Sequence, residues 1–201
     1  MNEKVTTIPE AVSRHLIDRS VAMNLLLIVS GSFLLAASAQ FAVTLNAGFV
    51  RVPMTLQPLA LVLIGAALGS VRGAAAAALY LAEGLAGLPV FSNGGSAAHL
   101  IGPTAGFLLA FPLGAFIAGY FSERGWTRTF LGTFAAMSAA LIVVHLGGWS
   151  WLATAAQLGP LNAFQVGNLP FLLSDLVKIA IAAALLPRVQ SALQGLDQPR
   201  S

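Results

Sequence analysis

Long hydrophobic stretches alternate with short polar connections along the chain. Several approach the ~20 residues that a helix needs to cross the hydrocarbon core of a bilayer. Prolines and glycines lie near the ends of these stretches, where helices begin and end. The pattern predicts six membrane-spanning helices, the second and third of them short, at Val21–Val43, Thr55–Ser70, Ala74–Leu88, Thr104–Phe121, Thr129–Leu146 and Leu169–Leu186.

Composition supports this assignment and excludes several kinds of site. Hydrophobic residues make up 57% of the 201 residues and charged residues 8%, whereas soluble domains contain about 25% charged residues. The sequence therefore predicts an all-α integral membrane protein. Because it contains no cysteine, it cannot form a disulfide or a thiolate metal site. The HExxH, GxSxG and Walker A patterns are absent, so nothing indicates ATP hydrolysis or peptide cleavage by this chain, and no cofactor is expected.

Basic residues predict the orientation of the chain. Six spans place both termini on the same side of the membrane. Eight of the nine basic residues outside the spans lie on that side, and Arg51 is the exception. Because cytoplasmic loops are enriched in lysine and arginine, both termini are predicted to be cytoplasmic. The expected organisation is a cytoplasmic segment at residues 1–20, a six-helix transmembrane substrate-binding domain at residues 21–187 and a cytoplasmic tail at residues 188–201.

The three outer connections differ in character. Asn46–Met54 is short, whereas Pro89–Pro103 is apolar and rich in glycine. Non-helical backbone at membrane depth is tolerated where it lines a cavity, so this second connection is predicted to be partly buried. Gly147–Asn168 contains Trp149 and Trp151, which predict an interfacial helix with aromatic anchors.

Asp175 and Lys178 interrupt the last hydrophobic stretch. Residues three apart share one face of a helix, and ionisable residues at membrane depth usually face a cavity or a partner. Helical side chains tilt toward the helix N-terminus, so both head groups are expected to point toward the outer surface. We predict that the pair binds a ligand in a pocket open to the outside. The alternative is an ion pair that only holds helices together.

Four further polar residues are candidates for the same pocket, and three of them have a stated alternative role. Tyr80 and Glu83 share one face of the third helix, where Glu83 is either a second binding group or an interfacial acid. Asn93, in the glycine-rich connection, either contacts the ligand or forms the Asn-Gly turn. Arg51 either attracts an anionic ligand or lies at the lipid headgroups.

Histidines and small residues form less specific patterns. His99 and His145 lack metal-ligand spacing with an acid. Packing or hydrogen-bonding roles are therefore expected, and helical spacing places neither histidine near a carboxylate. Ser32, Ala36 and Ala39 form a small-residue stripe on the first helix, which packs either internally or against another subunit.

Six short motifs occur in one order along the chain. They are V-P-M-T-L-Q at 52–57, L-G at 68–69, Y-L-A-E-G at 80–84, G-L-P-V-F at 87–91, G-P-T-A-G at 102–106 and P-F-L-L-S-D-L-V-K at 170–178. On these motifs the sequence resembles the BioY-type biotin-binding S components of energy-coupling-factor (ECF) vitamin transporters. The resemblance runs from about Leu34 to Leu186, most of the chain. The family more often has Gly-Gly-Tyr where this chain has Ala105, Gly106 and Phe107, and glycine where it has Ser174.

The resemblance implies an ECF S-component-like fold that captures biotin from outside for uptake, in a bacterial cytoplasmic membrane. The implied partners are a transmembrane coupling subunit and two cytoplasmic ATPase subunits. With biotin as the ligand, Asp175 would accept a hydrogen bond from the ureido ring, and Lys178 and Asn93 would donate to it. Tyr80 would border the apolar cavity, and Arg51 would pair with the tail carboxylate near the mouth.

Three other functions stay open at this point. The first is capture of another vitamin, although the order of the motifs argues against it. The second is a membrane enzyme that uses Asp175, Glu83 and a histidine; against it, helical spacing places no histidine near a carboxylate. The third is a passive helical scaffold, which leaves the buried charges without a role.

We predict that reporter fusions at Ser201 and in the Gly147–Asn168 connection report opposite sides of the membrane, because the basic residues orient the spans. Alkaline phosphatase, which is active outside the cell, and a fluorescent protein that folds inside it provide the measurement. The same compartment for both positions would contradict the six-helix topology.

Overall fold

The computed structural model describes residues 21–47 and 50–196, with side chains for residues 21–43 and 53–188. Apolar helices dominate it, as the long hydrophobic stretches predict. The helices are α1 (Val21–Gln40), α2 (Gln57–Leu68), α3 (Ser70–Leu85), α4 (Ala105–Leu109), α5 (Phe111–Glu123), α6 (Phe130–Thr154), α7 (Pro160–Gly167) and α8 (Leu169–Leu196), and the strands β1 (Ala42–Ala47) and β2 (Val50–Thr55) join α1 to α2.

Four helical segments of the described chain are long and apolar enough to cross a membrane. They are α1, the segment formed by α4 and α5, α6, and the first 20 residues of α8. α2 has 12 residues and α3 has 16, so they rise only about 18 and 24 Å, less than the ~30 Å hydrocarbon core. Each of the six predicted spans contains a helix, and the two predicted to be short are short.

Gly69 turns α2 directly back into α3. Its φ of 88° and ψ of 172° lie in a region that glycine alone enters readily. A Cβ added at Gly73 would lie 2.8 Å from the Cα of Gly65, so the two helices are in backbone contact. At the start of α3, the Glu123 carboxylate accepts a hydrogen bond from the Ser70 amide at 2.7 Å. This bond satisfies one of the free N–H donors of that helix end.

Small residues bring α5 into contact with α2 and α3. A Cβ at Gly65 would lie 2.4 Å from the Ala115 carbonyl oxygen, and one at Gly119 would lie 2.3 Å from the Ser70 nitrogen. Lipid tails are as apolar as leucine, so helices in a membrane associate through close van der Waals packing. The absence of side chains at these glycines permits that packing.

The connection after α1 is a two-stranded hairpin, where the sequence predicts an extension of the first span to Val43 and then a simple loop. β1 and β2 are antiparallel, with Ala42 opposite Thr55 and Thr44 opposite Pro53. Proline is accepted in a two-stranded sheet because each strand is an edge, and its missing N–H can face away from the partner. Strands of six residues also give a weaker periodic signal than long helices, which is why the pattern did not indicate them.

α6 is longer than predicted and contains both tryptophans. The prediction that it ends at Leu146, with Trp149 and Trp151 in a separate interfacial helix, is wrong because α6 continues to Thr154. Gly147 does not break the helix; a Cβ there would lie 2.7 Å from the backbone of α4. The glycine therefore serves close helix packing, and the separate short helix is α7.

α8 also continues past its predicted end. The sequence predicts that Pro187 closes the last helix, since proline lacks an N–H and clashes with the preceding turn, yet the helix runs to Leu196. The guanidinium of Arg188 donates to the Ala184 carbonyl oxygen, which adds a hydrogen bond in the turn that proline interrupts. The terminal segments at residues 1–20 and 197–201 lie outside the described residues.

The small-residue stripe of α1 packs inside the protein. Ser32 and Ala39 are fully buried, and Ala36 packs against the core cluster formed with α2 and α3. The Ser32 hydroxyl donates to the Glu83 carboxylate of α3. Of the two alternatives for this stripe, the described contacts support internal packing.

We predict that Gly119→Val destabilises the protein, because the added Cβ would meet the backbone at the start of α3. Overpacking of a close helix contact costs roughly 1–3 kcal/mol, which should lower the melting temperature of the detergent-solubilised protein. Ala82→Val is the control, since Ala82 is exposed on α3. Equal melting temperatures for the two variants would contradict the close α3–α5 packing.

Candidate functional site

A cavity lies at the end of the bundle where β2, the start of α2, the connection after α3 and the start of α8 come together. Its empty space is about 650 Å³, which includes the solvent-open mouth. Apolar side chains line most of it. Its aromatic walls are Phe91, Phe107, Phe111 and Phe171, and its polar lining is Thr55, Gln57, Ser92, His99, Thr104, His145, Asp175 and Lys178.

Asp175 and Lys178 form an ion pair at the wall of this cavity. Both belong to α8, and the Lys178 Nζ atom lies 2.7 Å from Asp175 Oδ1. The two residues are only 6% and 7% exposed. Lys178 also donates to the Ser174 hydroxyl at 3.5 Å, and an ammonium group has three donors. The pair thus retains a donor and carboxylate lone pairs for a ligand.

His145 contacts the same carboxylate from the neighbouring helix α6. Its Nε2 atom lies 2.8 Å from Asp175 Oδ2. Spacing along one helix cannot show this contact, because it joins two helices. The hydrogen-bonding role expected for His145 is confirmed. Within the described residues, no group of three histidine or acidic side chains comes together as a metal site would require.

Gln57 lines the cavity and is held in place by Tyr80, which lies behind the wall. The Gln57 side-chain amide donates to the Tyr80 hydroxyl at 2.8 Å, and that hydroxyl donates to the Val90 carbonyl oxygen at 3.1 Å. Thr55 donates to the other end of the Gln57 amide at 3.1 Å. Tyr80 is fully buried, so its hydroxyl acts on the cavity through Gln57.

Two aromatic walls of the cavity rest on glycines. A Cβ at Gly84 would lie 2.1 Å from the ring of Phe91, and one at Gly148 would lie 2.2 Å from the ring of Phe107. Tyr80 contacts Phe91 edge-on, with ring centroids 5.1 Å apart. These glycines therefore decide how far each ring stands back from the cavity.

Asn93 lies beside the main cavity. It occupies the left-handed region with φ 55°, which asparagine tolerates better than most residues. Its side chain lines a neighbouring depression that shares Pro53, His99 and Thr104 with the main cavity. The structure thus places Asn93 in a turn at the mouth, close to the residues that the two spaces share.

Glu83 and Arg51 are not brought together with the ion pair by the described contacts. Glu83 is half-buried and accepts a hydrogen bond from Ser32 of α1, at the α1–α3 interface. Arg51 pairs through its backbone with Asn46 in the β1–β2 hairpin, and its side chain lies outside the described part of the chain. Sequence reasoning assigned no binding role to His145, Gln57 or Ser92. Gln57 ends the motif at 52–57, which is the local signal that could have identified it.

Together, the apolar helices and the membrane-depth cavity with its buried ion pair define a multi-pass membrane protein that binds a small molecule. The model of the BioY family matches residues 6–195. This chain belongs to the BioY family.

Relatives and a solved structure agree with this assignment. A biotin transporter BioY from Rhizobium etli is 41% identical over 149 residues, which cover 70% of this chain and 79% of that protein. A probable biotin transporter BioY from Pyrococcus horikoshii is 37% identical over 158 residues, covering 78% and 90%. The crystal structure of an S component for biotin from an ECF-type ABC transporter has the same fold, with a TM-score of 0.71 at 23% identity over 87% of this chain and 95% of that one.

We predict that Tyr80→Phe destabilises the protein. The substitution leaves the buried Gln57 amide without its acceptor, and an unsatisfied buried polar group costs about 1–3 kcal/mol. Thermal unfolding of the purified protein measures the effect. Tyr120→Phe is the control, because Tyr120 is 38% exposed. A Tyr80 variant as stable as the Tyr120 variant would show that this hydroxyl does not support the cavity wall.

Proposed function

We propose that this chain is the biotin-capturing membrane subunit of an ECF-type transporter. It binds biotin from the outer side and passes it inward with a transmembrane coupling subunit and cytoplasmic ATPase subunits. Membership of the BioY family, whose relatives are described as biotin transporters, supports the proposal. The fold shared with a biotin S component supports it independently.

The buried ion pair is the observation that carries the proposal. The ureido ring of biotin presents N–H donors beside a carbonyl acceptor. Asp175 can accept from such an N–H, and Lys178 can donate to the carbonyl. The two groups lie 2.7 Å apart, so both can meet the same ureido ring. Hydrogen bonds to charged groups are roughly twice as strong as neutral ones. A site with such groups also discriminates against ligands that leave them unpaired.

The apolar walls suit the rest of the molecule. The thioether ring and the aliphatic tail of biotin have few hydrogen-bonding groups, and Phe91, Phe107 and Phe171 line the cavity beside the ion pair. Small-molecule sites are mostly apolar with a few polar groups that fix orientation. An apolar slot with one polar cluster therefore fits a ligand with one polar head.

Capture from the outer side is inferred from the predicted topology. The cavity lining includes Pro53, Ser92 and Thr104, which lie in or next to the connections that the basic residues predict to be outside. The same distribution predicts both termini to be cytoplasmic. The carboxylate of biotin, at the end of its tail, would be near the mouth and within reach of Arg51 or Asn93.

The contact between His145 and Asp175 supplies what the enzyme alternative needed, a histidine beside a carboxylate. The family comparison decides against that alternative, because the relatives are transport proteins. The chain is thus a transporter subunit, and the polar cluster is available for binding rather than for catalysis.

We predict that Asp175→Asn and Lys178→Met each weaken biotin binding strongly. Each substitution removes a charge-assisted hydrogen bond to the ligand and leaves the other charge unpaired, which costs roughly 2–5 kcal/mol of binding. That is a loss of about 30-fold to several thousand-fold in affinity. Isothermal titration of the purified protein with biotin measures it, beside melting curves of the same samples.

Glu123→Gln is the matched control, because Glu123 caps α3 away from the cavity. It should lower the melting temperature and leave the affinity for biotin unchanged. If Asp175→Asn behaves in the same way as Glu123→Gln, then Asp175 forms a structural ion pair and is not part of the binding site. If the unmodified protein does not bind biotin, the proposed function is wrong.

A further inference from the structure

His145 and Lys178 hold the two oxygens of the Asp175 carboxylate from different helices. Lys178 approaches Oδ1 at 2.7 Å from one turn further along α8, and His145 approaches Oδ2 at 2.8 Å from α6. An ionised carboxylate has about four lone-pair positions. Lys178 uses one of these positions on Oδ1 and His145 uses one on Oδ2, so one position remains on each oxygen for a ligand.

The His145 ring donates to this carboxylate. Its side chain is 15% exposed, and its Nε2 atom faces Asp175 Oδ2 at 2.8 Å. Because an ionised carboxylate oxygen can only accept, Nε2 must carry the proton of this hydrogen bond. The bond therefore fixes one oxygen of Asp175 from a helix other than its own.

We propose that His145 is a positioning residue for ligand recognition: its Nε2–H donates to Asp175 and fixes the carboxylate for a ureido N–H of the ligand. This inference rests on the proposed function and deepens it. Lys178 bonds the other carboxylate oxygen, so two donors from two helices set the orientation of the carboxylate.

The need for a second helix follows from the geometry of the ion pair. Lys178 and Asp175 lie on one helix, and both side chains are long enough to rotate together. Without the bond from α6, Oδ2 would be released, and the carboxylate could turn both oxygens toward the ammonium. A binding group that must reorganise before it meets the ligand loses affinity, so rigid support from a neighbouring element increases specificity.

Neighbouring groups hold the imidazole ring in turn. Phe107 contacts the ring edge-on with centroids 6.1 Å apart, and the Asn168 amide donates to the His145 backbone carbonyl oxygen at 3.4 Å. These contacts come from α4 and from the start of α8. The histidine thus has little freedom to leave the carboxylate.

The test compares His145→Met, which removes the donor, with His145→Gln, which retains an N–H near the same place. The ligands are biotin and its two derivatives with one ureido nitrogen methylated. His145→Met should weaken biotin binding by about 10- to 100-fold, the loss expected for one hydrogen bond to a charged group. It should also reduce the preference for biotin over the methylated derivative that the unmodified protein binds more weakly. His145→Gln should recover most of the affinity and most of the preference.

Ser122→Ala is the control. It removes a buried hydrogen bond of 2.9 Å from the Ser122 hydroxyl to the Ala66 carbonyl oxygen, between α5 and α2 and away from the cavity. It should change stability and leave the preference between the ligands unchanged. If His145→Met and His145→Gln bind equally, or if the ligand preference does not change in His145→Met, the histidine only packs and the inference is wrong.

A measurement on the unmodified protein applies even if the methionine variant does not fold. Nitrogen-15 NMR of labelled histidine should show that the His145 Nε2 atom carries a proton and that this proton is hydrogen-bonded to Asp175. A bare Nε2 would overturn the inference. Failure of the unmodified protein to bind biotin would instead remove the proposed function on which the inference rests.

Discussion

A carboxylate and an ammonium buried beside each other at membrane depth place the strongest constraint on this structure. Asp175 and Lys178 are more than nine-tenths buried, and neither charge can be solvated by lipid. They are tolerated because they pair with each other, because His145 bonds to the second carboxylate oxygen, and because a cavity lies beside them. Each of these conditions requires α8 to lie against α6 with its polar face inward. The cavity beside the pair also needs the walls that α2, α4 and α5 supply.

Small residues make such an arrangement possible. Gly65 and Gly119 let α5 approach the backbones of α2 and α3, which compacts one side of the bundle without long side chains. Around the cavity, Gly84 and Gly148 have the opposite effect, since each leaves room for an aromatic ring to come close to a helix. The same residue type thus closes the bundle in one region and sets the width of the cavity in another.

The polar lining forms two separate networks, and this division matters for function. Asp175, Lys178 and His145 form the charged cluster on one wall. Thr55, Gln57 and Tyr80 form a neutral network on another wall. In the neutral network these bonds join Gln57 to Thr55 and Tyr80, which gives the wall a fixed shape. In the charged cluster lone pairs and a donor also remain, and hydrogen bonds to charged groups are the stronger ones, so this wall is better suited to hold a polar head group.

The sequence by itself determined the membrane class, the approximate positions of six helices, the ion pair and the resemblance to the BioY family. Hydrophobic runs, charges inside them and ordered motifs are local features, and they can be seen along the chain. It did not show that α6 continues through Gly147 or that α8 continues through Pro187, because packing across helices overrides the usual effect of those residues.

Only the tertiary structure decided which polar residues meet. The contact between His145 and Asp175 joins positions 30 residues apart, and the bond between Gln57 and Tyr80 joins positions 23 apart, so neither leaves a periodic signal. Glu83 illustrates the reverse case, since it shares a helix face with Tyr80 in the sequence and yet bonds to Ser32 of α1. Spacing fixes which side of one helix a residue occupies; the rotation and packing of the neighbouring helices decide what that side faces.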